Sequence, residues 1–128
     1  MNSFPLPTKE WLRTYKKHRR EAFRGRQLRT FVEYRNARMR HFLEALKAFT
    51  GREFEGTLSS PGNSMILQSG GARIGVFFDN FLRGPLIGVQ VGILDPGARE
   101  FRDGDTFLES SGPLRLDLIQ ESLLKYGS

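Results

Sequence analysis

Residues 48–58, AFTGREFEGTL, mark the point where the periodicity of the chain changes, and their reading decides the fold. On the N-terminal side, Leu28, Phe31, Val32, Met39, Phe42, Leu43, Leu46 and Phe49 recur at three- and four-residue spacings. That is the stripe of a long amphipathic helix, with about 3.6 residues to each turn. On the C-terminal side the period is two: Phe54, Gly56 and Leu58 alternate with Glu55, Thr57 and Ser59. Alternation of this kind predicts a half-buried strand. Gly51 sits between the two patterns, where a helix would end in a left-handed residue.

Working back from this junction, a first helix is predicted after Pro5 and Pro7, with Thr8 as its N-cap. Trp11, Leu12, Tyr15, Ala22 and Phe23 share one of its faces, with His18 among them. Gly25 stands where a C-cap belongs. Working forward, Ser60-Pro61-Gly62-Asn63 reads as a turn, and Met65-Ile66-Leu67 as a short strand before Gly70-Gly71. Ile74, Val76 and Phe78 alternate next and close at Asp79-Asn80. In the run LIGVQVGIL, the apolar Ile87, Val89, Val91 and Ile93 face one way, and Gly88, Gln90 and Gly92 the other. The large apolar face is expected to lie under the long second helix, and the two glycines to admit the close approach of another backbone, such as a second subunit. Asp95-Pro96-Gly97 is a turn signal and 106–109 a fifth strand. Ser111-Gly112-Pro113 reads as a helix start with Pro113 at the first helical position, and Leu116, Ile119, Leu123 and Tyr126 as that helix's apolar face.

The predicted architecture is therefore an α+β fold. Two N-terminal helices (1–51) precede an antiparallel sheet of about five strands (52–110) and a C-terminal helix (111–128). Short, turn-rich spacings favour antiparallel pairing, because parallel strands need long crossovers. A length of 128 residues with no linker, repeat or low-complexity tract reads as one domain.

Charge is the most informative feature of the composition. Residues 1–52 hold fourteen Lys and Arg against four Glu, a surplus of +10, whereas residues 53–128 hold six against ten, or −4. The surplus is densest in KKHRREAFRGRQLR, residues 16–29. Arg13, Lys17, Arg20 and Arg24 follow one another at spacings of four, three and four, so they align on the helix face opposite the aromatic one. Like charges so placed oppose helix formation by ~0.2–0.5 kcal/mol per pair. Aromatic packing or an anionic partner must offset that cost. On the second helix, Tyr34, Arg38 and His41 lie beside the core stripe at spacings of four and three. Such a set suits stacking on bases with phosphate contact, or a protein interface. Arg35 projects into the stripe itself, where a buried Arg needs a carboxylate or backbone carbonyls; either it is paired across to the sheet half, or the stripe docks on a partner there.

Chemistry is otherwise sparse. Without cysteine there is no disulfide, thiolate nucleophile or Cys-ligated zinc. The two histidines, His18 and His41, have no Ser or Asp at motif spacing, and Gly70-Gly71-Ala72-Arg73 lacks the Lys and Ser/Thr of a phosphate-binding loop. Asp103, Asp105 and Glu100 carry oxygen ligands, but Arg99 and Arg102 interleave with them and read better as part of a solvated loop; no metal and no cofactor is expected. No apolar run is long enough to span a membrane, and MNSFPLPTKEW has none of the features of a signal peptide, so a cytoplasmic location is expected.

The leading expectation is a non-enzymatic accessory or regulatory protein that binds nucleic acid or a nucleoprotein assembly through Arg13, Lys17, Arg20, Arg24, Tyr34, Arg38 and His41. The alternative is a regulator or inhibitor that docks its basic helices on an acidic surface of a larger protein. A third reading is a metal-dependent nuclease using the loop over 95–109.

Overall fold

The structure, a computed structural model, describes residues 2–26, 28–58, 64–78 and 86–127. Its elements run β1 (Ser3–Phe4), α1 (Lys9–Phe23), α2 (Leu28–Thr50), β2 (Glu55–Leu58), β3 (Ser64–Ser69), β4 (Ala72–Phe78), β5 (Ile87–Ile93), β6 (Asp103–Leu108), a 3₁₀ turn (Glu109–Ser111), β7 (Leu114–Arg115) and α3 (Leu116–Gly127). Strands β2 to β6 form an antiparallel sheet in sequence order, and β1 pairs with β7 in a separate two-stranded ribbon. The fold is α+β, as the change of period at Gly51 predicts.

Local signals explain the element ends. Thr8 caps α1 by accepting the Trp11 N–H on Oγ1 at 3.0 Å. Gly25, at φ +75°, closes the same helix. Its N–H donates to Ala22 O and that of Arg26 to Glu21 O, at 3.0 and 2.9 Å, so the last carbonyls are satisfied in a Schellman arrangement. Gly51 ends α2 in the same left-handed region, donating to Lys47 O at 2.8 Å. Gly70-Gly71 turns β3 into β4, with Ser69 opposite Ala72. Pro96 and Gly97 form the centre of a turn closed by Ala98 N–H to Asp95 O at 3.0 Å. The expected turns at 60–63 and 79–80 lie outside the described residues.

The pleat sorts the sheet into two faces. Met65, Leu67, Ile74, Val76, Phe78, Ile87, Val89 and Val91 point to one side and are buried there with Met39, Phe42 and Leu46 of α2 and Leu116, Ile119 and Leu123 of α3. Over β5 the closest element is α3, not the long α2 that sequence periodicity suggests. The reason is the path of the chain. The apolar side chains of α2 enter this core only from Met39 onward, while its first turns pack on α1. α3 also starts later than Pro113, because Leu114 and Arg115 are drawn into pairing with Phe4 and Ser3, and Leu116 N–H donates to Asn2 O at 2.6 Å. On the other face of the sheet, Gly75 lies under Phe101 and Gly88 under the ring of Phe77.

The space left by the glycines of β5 is filled from within the chain rather than by a second subunit. A methyl group on Gly92 would overlap the Asp103 carbonyl oxygen and approach the Gly104 Cα to 2.6 Å, both backbone atoms of the neighbouring strand. At Gly75 the nearest obstacle is a Phe101 ring carbon at 3.4 Å. Gly92→Ala is therefore expected to cost at least ~1–3 kcal/mol by forcing β5 and β6 apart. Gly75→Ala should stay within about 1 kcal/mol. Chemical denaturation of the two variants checks this ordering.

Candidate functional site

The basic ridge stands on an aromatic seam. Trp11, the only tryptophan, stacks on Tyr34 of α2 with ring centroids 4.9 Å apart and 20° between planes, and on Tyr15 at 5.6 Å and 15°. Tyr15 meets Phe31 at 5.3 Å, His18 meets Tyr34 at 5.0 Å, and the Tyr34 hydroxyl donates to Trp11 O at 3.4 Å. Aromatic pairs of this kind contribute ~0.5–1.5 kcal/mol each beyond their area. The seam holds α1 antiparallel to α2 and fixes which side of α1 faces outward.

Beneath the seam lies a buried ion pair. Arg38 (5% exposed) makes a two-pronged contact with Glu109 (3% exposed): Nη1 donates to Oε1, and Nη2 to Oε2 at 2.7 Å. Nη2 also donates to Pro5 O at 3.2 Å, and Glu109 Oε1 accepts the Ile87 N–H at 2.7 Å. The guanidinium lies 5.2 Å from the Phe4 ring centre and 5.8 Å from that of Trp11. Helix α2, the N-terminal segment, the start of β5 and the turn after β6 thus meet at one charged group. Arg35 reaches the sheet half too, with its guanidinium 5.0 Å from Phe78 of β4 and 5.8 Å from Phe31.

The predicted site residues separate accordingly. Arg13, Lys17 and Arg20 are exposed on α1 and Arg24 at its C-cap, joined by Lys16 on the same helix and by Arg26 in the turn that follows. Among the described residues the only ion pair on this ridge is Arg24 with Glu21, at 3.7 Å; Arg13, Lys16, Lys17 and Arg20 face no carboxylate. Arg19 is half-buried, 5.8 Å from the Tyr15 ring centre. Arg38 is buried against Glu109 and Tyr34 is half-buried in the seam, because their side of α2 faces α1 and the N-terminal segment. His41 is exposed, one turn beyond them. Glu109, read from sequence as the end of a strand and of the acidic loop over 95–109, was not recognised there as the partner of Arg38. Its only signal was a carboxylate at the end of an apolar run.

Phe23 departs most from its expected place. The sequence reading groups it with Tyr15 and Ala22 on the inward face, yet it lies at the edge of that face and is 79% exposed. Leu28, at the head of the α2 stripe, is 61% exposed. Both lie at the tip of the α1–α2 hairpin, where neither helix has a further turn to cover them.

Two grooves flank the edge strand β6. One, of 460 Å³, runs between β6 and α3 and is lined by Asp105, Phe107, Glu121, Ser122 and Lys125; the other, of 320 Å³, runs between β6 and residues 111–115. Asp105 Oδ2 accepts the Ser122 hydroxyl at 2.5 Å. The nuclease reading needs several metal-ligating groups to converge, and among the described residues no three His, Asp or Glu do so. Nor, among the described residues, is any helix long and apolar enough to cross a membrane. No protein-family model matches the chain, and no curated protein and no solved structure matches it either.

Burial pushes the Tyr15 phenol above its ordinary pKa, partly countered by Arg19 and Arg35, and burial lowers that of Arg35. Tyr15 therefore keeps its proton in the folded chain at pH values where the unfolded chain has lost it. This leaves stability unaffected below about pH 10 and lowers it as pH rises beyond that value. An ultraviolet titration of tyrosine ionisation should show a late component that vanishes in Tyr15→Phe. The ion pair gives a second prediction. Glu109→Leu and Arg38→Met each leave a buried charge without its partner and should cost about 3–5 kcal/mol. The double variant should cost clearly less than the sum, as read by denaturant unfolding.

Proposed function

We propose that this chain is a non-enzymatic, single-domain binding protein of the cytoplasm whose α1 ridge engages nucleic acid or a nucleoprotein assembly. The observation that carries this reading is the row Arg13, Lys17, Arg20 and Arg24, with Lys16 and Arg26 beside it, exposed on a helix whose opposite face is locked by stacked rings. A cationic row on a flexible segment would lose side-chain and backbone entropy on binding. Here the backbone part is already fixed by folding. Each phosphate neutralised along the row releases condensed counterions, which gives affinity without sequence preference. The exposed residue His41 lies outside this row and contributes at most a flanking contact.

An acidic protein surface is the competing partner. It offers carboxylates of irregular spacing and no counterion atmosphere of comparable density, so salt dependence separates the two. Fluorescence anisotropy with short DNA and RNA across a salt series should give a linear log–log decrease in affinity, with a slope that reports about four or more phosphate contacts. Reversing Arg13, Lys17, Arg20 and Arg24 to Glu should abolish binding with the fold intact by circular dichroism. Undiminished binding by the folded quadruple variant would contradict the proposal.

A further inference from the structure

The tip of the α1–α2 hairpin combines two properties that the ridge alone does not require. Phe23, the last residue of α1, is almost fully exposed although burying such a ring would contribute ~1.5–3 kcal/mol. Cations stand around it: Arg20 and Lys16 lie three and seven residues before it, about one and two turns back along the helix, Arg24 follows it, and Arg26 stands three residues beyond it in the turn. The backbone beneath is rigidly built. The Schellman bonds of Gly25 and Arg26 satisfy the Ala22 and Glu21 carbonyls, and the left-handed φ of Gly25 fixes the direction in which the chain leaves the helix. An aromatic ring is thus presented at the end of a cationic row.

The charge decides which partner fits. A second copy of the same tip would bring like-charged collars together. An apolar protein groove would leave the Arg and Lys groups facing low-dielectric surface with no counter-charge. A nucleic-acid duplex answers the cations but keeps its bases inside the stack, leaving the ring without a partner. A single strand answers both: its phosphates run along Lys16, Arg20 and Arg26, and an unstacked base lies on the ring face.

Resting on the proposed ridge function, we infer that the hairpin tip is a single-strand stacking site, in which Phe23 takes one base while the flanking cations hold the adjoining phosphates. Because Phe23 is exposed, Phe23→Ala leaves the core untouched and tests the ring alone. For single-stranded oligothymidylate at fixed salt, Phe23→Ala should weaken binding about 5- to 100-fold with an unchanged log–log salt slope, and Phe23→Trp should retain affinity. For the duplex with oligoadenylate, the same change should alter affinity by no more than about twofold. Equal affinity of wild type and Phe23→Ala for the single strand would overturn the inference while leaving the ridge proposal standing. So would an equal loss on the duplex. If wild type binds neither, both fall. Vesicles of anionic and neutral phospholipid supply the remaining arm: Phe23-dependent binding to anionic vesicles that exceeds binding to the single strand would also overturn it, in favour of a lipid headgroup surface.

Discussion

The Arg38–Glu109 pair is the contact on which the arrangement of the two halves depends. It joins residues 71 positions apart, and each partner is further held by backbone: Pro5 O on the arginine, the Ile87 N–H on the glutamate. Two charges buried with this many hydrogen bonds add little net stability over an apolar replacement, but either one left alone in that site is strongly destabilising. Glu109 sits just past the edge strand, in a short 3₁₀ turn, so the guanidinium registers α2 against the end of the sheet. Phe4 and Trp11 then pack over that guanidinium, which sets the start of α1 in turn.

From that registration the exposed ridge follows. Trp11 stacks with Tyr34 and Tyr15, Tyr15 with Phe31, and α1 is left with one face turned to the seam and the other to solvent. The repulsion among the cations of the outer face is offset by burial on the inner face, since Tyr15 alone is 2% exposed. The charge asymmetry between the halves therefore becomes an asymmetry of surface: a cationic hairpin held against a core assembled mainly from sheet and C-terminal helix.

Much of this was legible in the sequence because it rests on local physics. The change of period at Gly51, the cap at Thr8, the left-handed glycines at 25 and 51 and the Gly70-Gly71 hairpin all concern a few consecutive residues, and the structure places each of them as such residues require. Helical phase put Arg13, Lys17, Arg20 and Arg24 on one outward face for the same reason. What was not legible depends on contacts distant in sequence. Arg38 and Tyr34 look like surface neighbours of a helix stripe until α1 and Glu109 close over them. Pro113 is a plausible helix start until β1 captures Leu114. Phe23 lies at the edge of the inward face, and phase does not reveal where a hairpin ends and its cover stops. Gly92 signals close approach, and only the register shows that the approaching backbone is the next strand.

The most direct test of the account is to map, by nuclear magnetic resonance, which amide and side-chain signals move when a short single-stranded oligonucleotide is added. The account predicts that the shifts concentrate on residues 13–26 of α1 and the hairpin tip, with the arginine side-chain signals of the ridge among the most affected, while the sheet and α3 stay unchanged. Shifts centred on the open face of the sheet or on the grooves beside β6, with the α1 signals unmoved, would contradict it.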